Sequence, residues 1–118
     1  MLRTLRDTAP ISMSSDAILV LTTCPDEATA VRIARDLVES GLAACVSRLP
    51  GAHSTYRWEG RLQDEPEVLL IIKTLATRFE ALELRLKSLH PYELPEIIAL
   101  PVTSVSPEYL AWLRMAGT

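Results

Sequence analysis

Apolar positions along this chain gather into short unbroken runs and spaced stripes. Ala17-Ile18-Leu19-Val20-Leu21 and Val68-Leu69-Leu70-Ile71-Ile72 are continuous, as is most of the stretch 97–102. Runs of this length, bounded by polar or turn residues, read as strands. Ala30, Val31, Ala34, Leu37 and Val38 recur at helical spacing instead, as do Phe79, Leu82, Leu86 and Leu89. The first stripe follows Thr23-Cys24-Pro25-Asp26-Glu27, where proline and acids suit a helix start, and Gly41 marks its stop. The second follows Thr77-Arg78-Phe79-Glu80, a capping-box pattern, and halts at His90-Pro91.

The polar and turn residues complete the order. Residues 42–58 form a long extended segment interrupted by Pro50-Gly51, which predicts a bulge or bend. Glu59-Gly60 predicts a hairpin turn into a third strand over 61–73, with Pro66 forcing an unpaired or bulged position there. Ser106-Pro107-Glu108 opens a short last helix holding Tyr109, Leu110, Trp112 and Leu113. The pattern is β-α-β-β-α-β plus a terminal helix: an α+β, ferredoxin-like split βαβ sandwich with an antiparallel sheet. Right-handed crossovers put both main helices on one sheet face. Yet strands one, three and four are apolar at successive positions, as for burial on both faces. The terminal helix is too short to cover a four-stranded sheet, so self-association is expected.

With 118 residues the chain is one domain, expected over 16–118 after a flexible N-terminal extension of residues 1–15. Twelve basic and 15 acidic residues leave a net charge of −3, which argues against nucleic acid as a partner. No apolar run approaches the roughly 18 residues that span a bilayer, so no membrane partner is expected. Cys24 and Cys45 make no disulfide framework, and without a signal-peptide pattern a cytoplasmic location with free thiols is expected.

Candidate chemistry is sparse. No G-x-S-x-G, phosphate-cradling glycine loop or H-E-x-x-H occurs, and the chain is not expected to be an enzyme. His90, Glu93 and Glu96 share a loop stiffened by Pro91 and Pro95 and offer one imidazole and two carboxylates, a set suited to Cu²⁺ or Zn²⁺. Cys24 stands at a helix mouth, where a depressed thiol pKa would make it a ligand or nucleophile; alternatively it is a small buried residue. Cys45 reads as core, and His53 as an exposed loop residue. Lys73 either snorkels outward or lines a cleft. Tyr56 and Trp58 alternate on one strand and share a side, for an interface or a pocket floor.

These segments together are similar to a known family. Cys24-Pro25-Asp26-Glu27-Ala28-Thr29-Ala30, Leu42-Ala43-Ala44-Cys45-Val46, Pro50-Gly51-Ala52, Tyr56-Arg57-Trp58-Glu59-Gly60, Ile72-Lys73-Thr74 and His90-Pro91-Tyr92 through Pro95-Glu96 resemble the CutA divalent-cation tolerance proteins, in register from about residue 17 to 113. The resemblance implies a homotrimer whose sheets face one another, with the long hairpin reaching a neighbour and Tyr56 and Trp58 at the trimer interface. It implies divalent metal ions, Cu²⁺ among them, as weakly bound partners, with His90 and Glu96 on ligand positions; Cys24 at the helix mouth is the further candidate ligand. A cysteine found in some members falls here at Thr22, two residues before Cys24, and Leu89-His90 replaces two adjacent histidines. The fold also looks like that of the nitrogen-regulatory signalling trimers. That alternative would make Lys73, Tyr92 and Glu93 line inter-subunit clefts for a small ligand.

Overall fold

The computed structural model describes residues 15–117, so the expectation for residues 1–15 lies almost wholly outside the described residues. Four strands and three helices follow one another: β1 (Ala17–Cys24), α1 (Glu27–Glu39), β2 (Cys45–Trp58), β3 (Arg61–Leu75), α2 (Phe79–Leu89), β4 (Ile98–Pro101) and α3 (Pro107–Met115). The strands form one antiparallel sheet in the order β2-β3-β1-β4, the split βαβ arrangement.

Local chemistry explains the helix ends. Asp26 caps α1 by accepting the Thr29 N–H at 2.8 Å. At the other end the amides of Gly41 and Leu42 return to the carbonyls of Val38 and Leu37, with Gly41 at φ 77°. That is a Schellman closure, which needs a residue without a Cβ in the left-handed region. Ser106 caps α3 with Pro107 in its first turn. The capping box expected at Thr77 does not form. A 3₁₀ turn over Ala76–Arg78 leads into α2, and the Phe79 amide bonds the Ala76 carbonyl, so backbone fills the role assigned to the threonine side chain.

Residues of β1 and β3 divide cleanly by parity. Ile18, Val20, Cys24, Val68, Leu70 and Ile72 face α1 and α2 and make the main core with Ile33, Leu37, Leu82 and Leu86. Ile33, rather than Val31 or Val38, carries the buried stripe of α1; Val38 is exposed. The opposite parity, Leu19, Leu21, Leu69 and Ile71, is half-buried on a face that has no main helix. Leu100 and Ile98 of β4 extend that face beside Leu19 and Leu21, at 42% and 48% exposure. Helix α3 covers only one end, where Leu113 and Leu110 meet Ala17, Ala44 and Leu75. Cys45, expected in the core, is half-buried on this open face opposite Lys73.

The β2–β3 hairpin is long, and its register sets the functional end. Leu49 pairs with Leu69 but Ala52 with Glu67, so Pro50-Gly51 supplies one extra residue. Past that bulge, side-chain parity on β2 inverts, and Ser54, Tyr56 and Trp58 come to share the face of Glu67. Pro66 makes no bulge of its own; it pairs in register with His53. β1 pairs with β3 only as far as Val68, so beyond it the missing N–H need break no ladder bond. Glu59 and Gly60 close the hairpin at φ 51° and 78°, the two positive angles of a type I′ turn.

Candidate functional site

Where β1 stops pairing with β3, the loop between α2 and β4 approaches the hairpin and encloses a cleft of about 720 Å³. Its walls are Tyr56 and Trp58 from β2, Glu67 from β3, Thr23 from β1, and Pro91, Tyr92, Glu93, Leu94 and Glu96 from the loop. The lining holds three carboxylates and no lysine or arginine.

His90 anchors this loop. It ends α2 and is buried, at 8% exposure. Its Nε2 lies 2.8 Å from the Thr23 carbonyl, and its Nδ1 accepts the Tyr92 N–H at 3.1 Å. A carbonyl only accepts and an amide N–H only donates, so the ring is the neutral tautomer carrying its proton on Nε2. Burial holds its pKa below the ordinary value, partly offset by the Thr23 bond. Tyr92 stacks at a tilt against the ring, with centroids 4.7 Å apart, and its hydroxyl donates to Glu67 Oε2 at 2.6 Å. Burial and that carboxylate push the phenol pKa far up. Tyr56 donates to Glu65 at 2.7 Å.

The expected ligands do not converge. Both nitrogens of His90 are occupied, and to ligate a metal through Nδ1 it would have to release the Tyr92 amide. Cys24 is fully buried under the helices, on the same side of β1 as Thr22, and burial followed by the nearby Glu67 raises its thiol pKa to about 11. The helix mouth therefore does not depress it, and the buried reading of Cys24 holds. Glu96 is exposed on the cleft wall. Among the described residues no group of three or more His, Cys, Asp or Glu side chains is placed to hold a metal ion, so these residues make no closed centre.

Lys73 also stands apart from Tyr92 and Glu93. Six residues along β3 from Glu67, or about 20 Å, it donates to Ser47 at 2.8 Å and lies 3.7 Å from the Cys45 sulfur. Tyr56 and Trp58 do share a side, and both line the cleft. Glu67 escaped the sequence reading: in Glu65-Pro66-Glu67 it looks like one more strand acid, and its partner Tyr92 is 25 residues downstream. The one hint is its place immediately before the apolar run, where a charge is about to be buried.

Sheet, helices and cleft together define a ferredoxin-like α+β domain with a ligand-sized hollow at its hairpin end. Residues 18–116 match the family model described as CutA1 divalent ion tolerance protein. The chain is 48% identical over 99 residues to the divalent-cation tolerance protein CutA of Pectobacterium atrosepticum, covering 84% of this chain and 90% of that one. It is 50% identical over 96 residues to the protein of the same name from Thermus thermophilus, covering 81% and 93%. The crystal structure of CutA from Xylella fastidiosa superposes with a TM-score of 0.86 at 49% identity, over 88% of this chain and all of that one. This chain belongs to the CutA1 divalent ion tolerance family.

Proposed function

We propose that this chain is one subunit of a cytoplasmic homotrimer that serves divalent-cation tolerance by binding Cu²⁺ and related ions weakly. The observation that supports it is the cleft lining, with Glu67, Glu93 and Glu96 and no base among them. Carboxylates in such a hollow attract cations, and Cu²⁺ binds most tightly of the first-row divalent ions to oxygen and nitrogen donors. Since no three such side chains among the described residues are placed to hold an ion together, an ion there keeps much of its water, and binding is weak and reversible. His90 holds the loop that carries Glu93 and Glu96.

Assembly draws on the open sheet face, since a contiguous apolar surface of this kind is rarely left in water. A trimer rather than a dimer is what resemblance to the family implies. Free Cys24 and Cys45 suit a reducing compartment. A second reading, a trimeric small-ligand or signalling module, draws on the aromatic walls, which a metal ion does not need.

Calorimetry with Cu²⁺ tests the first reading. The double variant Glu93→Gln/Glu96→Gln should bind several-fold more weakly than the wild type, and His90→Ala should weaken binding less. A loss in His90→Ala as large as in the double variant would make the imidazole itself a ligand. Equal binding by all three proteins would refute the cleft as the metal site.

A further inference from the structure

We propose that the cleft at the hairpin end binds an organic cation, an ammonium or guanidinium group carried on a small apolar body. This rests on the reading that the cleft attracts cations, and adds a ligand class which that reading does not contain. The hollow measures about 720 Å³, within the range of small-molecule sites. Three aromatic side chains, Tyr56 and Trp58 at the expected subunit contact and Tyr92 on the loop, share its walls with Glu67, Glu93 and Glu96. Two observations separate an organic cation from a bare metal ion. No trio of His, Cys, Asp or Glu among the described residues is placed to ligate a metal. Aromatic faces ligate no divalent ion, but their negative quadrupole attracts a diffuse organic cation, and their area suits its apolar body.

Glu67 is the anchor. It is only 8% exposed, and it faces the cleft. Its Oε2 accepts the Tyr92 hydroxyl, while Oε1 has no hydrogen-bond partner among the described residues. That oxygen is free to accept, and an N–H of the ligand would supply a charge-assisted bond there. Tyr92 aims the carboxylate, and His90 behind it holds the Tyr92 backbone, so both are positioning residues. The bulge at Pro50-Gly51 completes the site by turning Tyr56 and Trp58 onto the face of Glu67.

The test uses the full chain with Trp112→Phe, which leaves Trp58 as the single tryptophan. It is titrated with tetramethylammonium and with butylguanidinium chloride, against sodium chloride at equal ionic strength and an uncharged isostere of each cation. Saturable change in Trp58 fluorescence with the organic cations alone is expected. Glu67→Gln should weaken binding at least about tenfold, the loss of one charge-assisted contact. Tyr92→Phe, which keeps the carboxylate but not its alignment, should weaken it several-fold and serves if Glu67→Gln does not fold. Trp58→Leu, followed by calorimetry, should also bind more weakly. The proposal is overturned if no saturable signal appears, if the Glu67 and Tyr92 variants bind like the parent, or if Trp58→Leu alters only the oligomeric mass. Cu²⁺ is titrated in parallel. Copper binding without organic-cation binding defeats this inference alone, and the reverse result defeats the divalent-ion reading and leaves the inference standing.

Discussion

At the scale of single residues, two buried polar groups make measurable claims. Thr22 is fully buried on the helix side of β1, and its hydroxyl has no hydrogen-bond partner among the described residues. Valine has nearly the same shape without the hydroxyl, so Thr22→Val should stabilise the protein by about 1 kcal/mol. Denaturant midpoints at one fixed protomer concentration would check this, and a destabilised variant would contradict it. His90 makes the second claim. Its pKa is depressed in the fold by burial, against a value near 6.5 when unfolded. The unfolded chain therefore binds the proton first as pH falls. The stability due to a neutral His90 is complete above about pH 6.5 and is lost as pH drops through that value toward the folded pKa. Protonation would also put a hydrogen on Nδ1, against the Tyr92 amide. Melting curves from about pH 7.5 to 5 should therefore fall faster for the wild type than for His90→Gln, with the difference confined to the acid side. Parallel curves would show that His90 does not titrate this way.

At the scale of elements, the hairpin is the feature with the most consequence. One extra residue at Pro50-Gly51 decides which half of the β2 side chains reaches the cleft, because strand side chains alternate with a period of two. Deleting Gly51, at φ 92°, should remove the bulge and leave the register on both sides intact, because Leu49–Leu69 and Ala52–Glu67 then fit one regular ladder. Tyr56 and Trp58 would stay on the face of Glu67. In a Trp112→Phe background, acrylamide quenching of Trp58 and cation binding at the cleft should therefore be retained. Altered quenching with loss of binding would mean that the register slips beyond the deletion. The same element shows how much was legible locally. Pro50-Gly51 and Glu59-Gly60 announce the bulge and the turn because backbone chemistry acts within a few residues. Pro66 misleads because its tolerance depends on whether a neighbouring strand is present, and at that point of β3 the β1 pairing has already ended.

At the scale of the whole molecule, the two sheet faces should respond differently to a charge. Leu70 is fully buried under the helices, so Leu70→Asp places an unpaired carboxylate in the core at a cost of several kcal/mol and should abolish folding. Ile71, its neighbour, is half-buried on the open face. Ile71→Asp should leave circular dichroism native but break the assembly. Light scattering should then give a mass near the single chain of 13.1 kDa, against about three times that for the wild type. A wild-type monomer at micromolar concentration would remove the assembly reading. A fully associated Ile71→Asp protein would place the contact elsewhere.

The sequence by itself determined the element order, the fold class, the helix starts near Asp26 and at Ser106, and an apolar face with no helix to cover it. Each of these follows from residues within a turn or a strand of one another, or from the alternation of side chains along a strand. The family resemblance singled out His90 and Glu96, but only the tertiary structure decided what they do. Both nitrogens of His90 are taken by the Thr23 carbonyl and the Tyr92 amide, and the former lies 67 residues away in sequence. Cys24 falls under the helices, where desolvation outweighs any help from the helix mouth. Glu67 gains its place only because Tyr92 comes over the end of β1 to meet it. Protonation, burial and the aim of a carboxylate are set by neighbours brought together in space, and no local pattern of residues contains them.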